Sequence, residues 1–132
     1  MNDSQLDTPY RPEGWTVRQL VHHLADSHMN SYVRFRWALT EPDPTIKAYD
    51  EKGWALLPDA RSAPVDVSLR LLAALDERWT DLLRALTSDD WNRTFQHPQS
   101  GKQSLGRAAG VYAWHGRHHV AHITGLRRRM SW

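Results

Sequence analysis

The chain has 132 residues, 40% hydrophobic and 24% charged, with a formal net charge of +2 and no cysteine. That length and balance fit one globular domain over residues 1–132 with a single core, and they exclude a disordered chain. The missing cysteine excludes disulfides, thiolate metal sites and a thiol nucleophile from the protein itself. Arginines are spread along the chain among acids; only Arg127, Arg128 and Arg129 form a run. Their place, at the expected end of the last helix, suits the helix dipole better than a nucleic-acid patch, so no nucleic-acid partner is expected. No apolar run approaches the ~18 residues of a membrane span, and MNDSQLDTPY is not a signal peptide. The expectation is a cytoplasmic protein with no membrane partner.

Three segments carry a helical period. Thr16-Val17-Arg18-Gln19 is a capping box, with Thr16 as N-cap. From it Val17, Leu20, Val21, Leu24, Phe35 and Leu39 share one face, until Pro42 and Pro44 close the helix. A second helix starts near Asp66, its stripe running through Val67, Leu71, Leu72, Leu75, Trp79, Leu82, Leu83 and Leu86. The third runs from Ser104, its N-cap, to about Arg129. Residues 40–65, rich in Pro and acids, form a long connection with a helical turn expected at Asp50 to Leu56; connections of this length are often lids or crossovers. Between the second and third helices, RTFQHPQSGKQS has room for a short hairpin at Ser100-Gly101. The first and third helices are both entered from a Pro-containing stretch through Gly and a hydroxyl cap, and both bear histidines. This points to a duplicated helix-loop-helix unit and to a four-helix bundle lacking its first helix, with an apolar groove for a partner chain to fill.

Half of the eight histidines fall in WHGRHHVAHI, residues 114–123. With His115 at angle zero, His119 lies at about 40° and His122 at about −20°, among the apolar positions Val111 and Leu126; His118, at about −60°, is marginal. An i,i+4 pair such as His115 and His119 can occupy two corners of one metal's coordination shell. The plainer reading is core histidines bonded to carbonyls. On the first helix, HHLADSH supplies the other cluster. His22, at about 200° from Leu20, faces away from the apolar side and is expected in solvent, whereas His23 and His28 both remain open as partners.

The segments GWTVRQLVHHLADSHMNSYVRFRWALTE, YDEKGWALL, LTSDDWNRTFQHP and YAWHGRHHVAHITGLRRRMSW closely resemble the YfiT-type metal-dependent hydrolases of the DinB-like superfamily. The pattern W-[ST]-x₆-H-[LI] followed by H-x₂-HH carries the likeness over almost the whole chain. The resemblance implies an all-α, up-down four-helix bundle, often a homodimer, with one divalent metal bound by three histidines. Mapped by motif, these are His23, His115 and His119. Family members usually have another helix before LDTPYRP, so three long helices are expected here.

Three neutral imidazoles leave a divalent ion's charge uncompensated and a coordination position open, the pattern of catalytic rather than structural sites. Such an ion, zinc or nickel by ligand type, lowers the pKa of water toward ~7 and makes a nucleophile for hydrolysis. The same position suits a low-molecular-weight thiol, and the resemblance implies bacillithiol S-transferase activity for some relatives. The third alternative is a non-catalytic helical interaction module with a structural metal. Candidate helpers are Asp26, one turn after His23, as orienter or general base; His122, as pocket wall or hydrogen-bond partner of a ligand; and Tyr112, on the inner face, as a substrate contact. Trp114 lies beside His115. Asp50 and Glu51 are placed to reach the site from the long connection. His28 reads as a core histidine and His97 as a surface one.

Overall fold

The computed structural model describes residues 1–132, and three long helices dominate it: α2 (Val17–Thr40), α5 (Val65–Arg84) and α7 (Leu105–Met130). Four short helices, α1 (Asp3–Leu6), α3 (Glu51–Ala55), α4 (Pro58–Ser62) and α6 (Ser88–Asn92), fill the connections. Strands β1 (Thr94–His97) and β2 (Gly101–Ser104) pair antiparallel as the expected hairpin, with Gly101 at φ 74° where the chain turns back. α2 and α7 begin where the capping signals place them, whereas α5 begins after Pro64 with no side-chain cap. Thr16 accepts a hydrogen bond from the Gln19 amide while the Gln19 side chain returns to the Thr16 amide, and Ser104 accepts from Arg107. The expected turn after Asp50 is α3, with Asp50 capping it through the Gly53 amide.

Both histidine-bearing helices are entered through an antiparallel pairing that ends on the capping hydroxyl. Before α2 it is the Pro9–Thr16 bridge, and before α7 it is the β1–β2 hairpin ending at Ser104. Thr45 adds a parallel bridge to Gln96, which ties the long connection to the hairpin. Beneath these, Phe35, Ala38, Ile46, Trp79, Phe95, Leu105 and Ala108 form the core, with Phe35 and Trp79 edge to face at 5.1 Å.

One expectation about α2 fails, while exposed apolar side chains on α5 and α7 accord with the expected groove. The first turns of α2 are enclosed on every side: Val17 to Ala25 are all buried. His22 is therefore not in solvent. Its Nδ1 meets Ser68 Oγ at 2.7 Å and its Nε2 meets the Ala63 carbonyl at 3.2 Å. A wheel that assumes one buried face misplaces it because α4 and the start of α5 cover the opposite face. Conversely, the apolar stripe of α5 is poorly covered: Trp79 alone in that helix is buried, while Val67 and Leu71 are exposed. On α7, Val111, Trp114 and Val120 are likewise exposed.

Candidate metal centre

α2 and α7 bring three imidazoles together. His23, buried on α2, places Nε2 at 3.4 Å from His115 Nε2, and His119 Nε2 lies 3.0 Å from the same atom. One nitrogen from each ring falls within 4.8 Å of the other two, a grouping able to hold a metal ion. Two metal–nitrogen bonds of ~2.0–2.1 Å at a tetrahedral angle set their nitrogens about 3.3 Å apart. The two short separations bracket that value. The i,i+4 spacing stacks His115 over His119, and Trp15 packs on the far side of His23 at 4.8 Å between ring centroids.

Electrostatics keeps the three rings neutral. Burial, reinforced by neighbouring imidazoles, pushes His23, His115 and His119 each down to about 4. At neutral pH every ring thus has one lone pair free, the form in which histidine binds metals. The plainer reading of carbonyl-bonded core histidines finds no support at these positions. The Nδ1 atoms of His115, His119 and His122 are buried with no hydrogen-bond partner, and the contacts made by His115 and His119 are nitrogen to nitrogen. Ligation through the converging Nε2 atoms would leave these Nδ1 atoms unpartnered, so the hydrogen bond that ligating histidines ordinarily make through the second nitrogen is absent at His115 and His119.

The remaining candidates are distributed around this cluster. A cavity of about 770 Å³ has His115 on its wall together with Tyr112, Tyr49, Asp50, Glu51 and His97. Tyr112 is thus placed to meet a ligand, its ring 5.8 Å from His115, and Asp50 and Glu51 do reach this space from the long connection. His97, expected at the surface, instead forms part of the cavity wall at the end of β1, where burial and the nearby Arg34 charge lower its pKa. His122 stacks on Tyr10 at 4.3 Å and contacts the His119 ring at 5.6 Å. Asp26 makes no hydrogen bond to the three imidazoles, and burial and the charge of Asp59 raise its pKa. His28 bonds Asp76 through Nδ1 at 2.9 Å and joins α2 to α5. Trp114 is exposed and stacks on His118 at 4.5 Å. Sequence reasoning missed Arg34, a buried cation on the same cavity wall; the signal was its spacing of eleven residues, three helical turns, from His23.

No helix of the protein is long and apolar enough to cross a membrane. Comparison with known proteins agrees with the geometry. Proteins of Bacillus cereus (strain 03BB102) and Bacillus thuringiensis subsp. konkukian (strain 97-27), each named "Putative metal-dependent hydrolase", are 59% identical over all 132 residues, which span 76% of their length. YfiT from Bacillus subtilis, described as a probable metal-dependent hydrolase with an unusual four-helix bundle topology, superposes with a TM-score of 0.98 at 58% identity, over the whole of this chain and 76% of that one. The fold is thus the all-helical bundle of that protein, with three long helices in these 132 residues. With residues 1–123 matched by the family model, this chain belongs to the DinB superfamily.

Proposed function

We propose that the protein is a metal-dependent enzyme, a hydrolase, in which His23, His115 and His119 hold one divalent ion. The observation that carries this reading is the convergence of three neutral imidazole nitrogens, within 4.8 Å of one another, beside a cavity large enough for a small molecule. Relatives named for metal-dependent hydrolysis support it. When bound, zinc or nickel supplies Lewis acidity that activates water near neutral pH. The chain's own residues do the rest. Tyr112 and Tyr49 line the approach. Burial raises the Tyr49 phenol to about 12, which keeps it a hydrogen-bond donor at neutral pH. Cytoplasmic residence and a homodimer belong to the same proposal.

A second reading, a thiol S-transferase of the bacillithiol type, is favoured by one feature. No carboxylate, Asp26 included, is hydrogen-bonded to the three imidazoles. Asp50 and Glu51 share the cavity with His115 but bond none of the three rings, and a thiol cosubstrate brings its own nucleophile.

The test compares protein loaded with zinc or nickel, protein stripped by a chelator, and His115→Ala. Each is assayed on a panel of esters and amides and, separately, for conjugation of a low-molecular-weight thiol to an electrophile. Hydrolysis that disappears on stripping, returns on reloading and is absent in His115→Ala is the expected result. Metal-dependent conjugation without hydrolysis would establish the second reading instead. Unfolding on stripping, with neither activity, would make the metal structural.

A further inference from the structure

Two arginines are buried in α2, and the fold treats them differently. Arg18, 5% exposed, is fully engaged: Nε donates to Asp7 Oδ1 at 2.6 Å, Nη2 to Asp3 Oδ1 at 2.9 Å and Nη1 to the Ala63 carbonyl at 3.0 Å. Arg34, 8% exposed, has no carboxylate partner, and its one hydrogen bond is a long one, 3.4 Å from Nη2 to the Lys47 carbonyl. A guanidinium has five N–H donors and cannot discharge itself at neutral pH. Its remaining N–H groups have no protein acceptor yet are not sealed from solvent, so they stand open to an anion entering from a cavity.

Its position says where that anion would sit. Eleven residues separate His23 from Arg34, three turns and about 20°, so both occupy one face of α2 roughly 16 Å apart along the axis. Arg34 and His115 line the same cavity of about 770 Å³. His97, also on its wall, accepts from the Gln99 and Ser100 amides through Nδ1, so a neutral ring carries its proton on Nε2 as a further donor. Arg34 also borders a second cavity of about 640 Å³, walled by Met29, Val33, Trp37 and Trp54, with Lys47 and Asp50 as its charged residues.

We propose that Arg34 anchors the carboxylate of a small-molecule substrate, with an apolar group of that substrate in the Met29–Trp37–Trp54 cavity and its reacting group toward His115. The assignment of the reacting end rests on the metal-enzyme reading above. The planar guanidinium matches a carboxylate bidentately. The cavity wall also carries Lys52, Asp50 and Glu51, so beside Arg34 the fixed charges balance and one added negative charge is matched better than two.

The experiment uses chelator-stripped full-length protein, so that no metal can bind the probe. 3-Phenylpropionate and its neutral amide are titrated while the Arg34 side-chain N–H resonance and tryptophan fluorescence are followed. Expected are saturable binding of the acid with a shift of the Arg34 resonance, no comparable binding of the amide, and weakening by about tenfold or more in Arg34→Met. Arg34→Lys should retain part of the affinity. The resonance shift in the unmutated protein keeps the test decisive even if Arg34→Met fails to fold. Equal binding of acid and amide, or an Arg34 resonance indifferent to the acid, would overturn the proposal, and tighter binding of inorganic phosphate would overturn its carboxylate assignment. Metal content is measured on separate samples. Loss of the metal reading therefore leaves an anion site at Arg34 standing, and failure of the anion site leaves the metal reading standing.

Discussion

At His115, one ring nitrogen faces two other imidazoles at 3.4 and 3.0 Å while the other is buried without a partner. Such a ring cannot take a proton cheaply, and the same holds for His23 and His119. The three are held at about 4 in the folded chain against 6.5 when free. Between those values the unfolded chain binds more protons than the folded one, so stability rises with pH across this window. Stripped of metal, the protein should lose stability as pH falls below about 6.5, with the loss levelling off under about 4. Denaturant midpoints at a series of pH values check this, and a flat profile from pH 7 to 5 would contradict it. The raised pKa of Asp26 acts in the opposite sense, and an Asp26→Asn background separates the two. The same variant should leave metal binding intact, because Asp26 makes no hydrogen bond to the cluster.

At the scale of elements, the caps and the core decide. Thr16→Ala removes the acceptor for the Gln19 amide and should cost about 1 kcal/mol, read from the denaturant midpoint. Phe35→Ala removes a ring with no exposed surface that packs against Trp79 and should cost about 3–5 kcal/mol. Helix starts and stops were legible in the sequence because caps and prolines act locally: Thr16, Ser104 and the Pro42–Pro44 stop all stand where they were expected. The hairpin at Gly101 was legible for the same reason. His22 was not, because its burial depends on Ala63 and Ser68, which lie more than forty residues further along the chain. His97 was not, because only the fold of the hairpin turns β1 toward the cavity. Arg34 could have been found by spacing alone, but an arginine on a helix is normally solvated, and nothing local marks one that lacks its counter-ion.

For the molecule as a whole, the long connection does more than join two helices. It pins to the hairpin through the Gln96 backbone, which donates to the Pro44 carbonyl and accepts from the Ile46 amide, and it carries Tyr49 to Lys52 over the space beside His115. The imidazoles come from α2 and α7, ninety-two residues apart, so an ion between them would cross-link the two ends of the sequence. Metal added in excess should therefore raise the melting temperature, since it binds the folded chain in preference to the unfolded one. The rise should vanish in His119→Ala. The resemblance of the histidine motifs led to the same three residues that the fold brings together, although periodicity alone left His23 and His28 open. The central claim is that these three residues bind one divalent ion. The most direct measurement is elemental analysis of metal per chain for the native protein and for His115→Ala/His119→Ala, with circular dichroism to confirm the fold of both. The account predicts about one ion per native chain, or its uptake on adding zinc or nickel, and none in the double variant with the helical spectrum unchanged. No metal in the native protein before or after addition would contradict it.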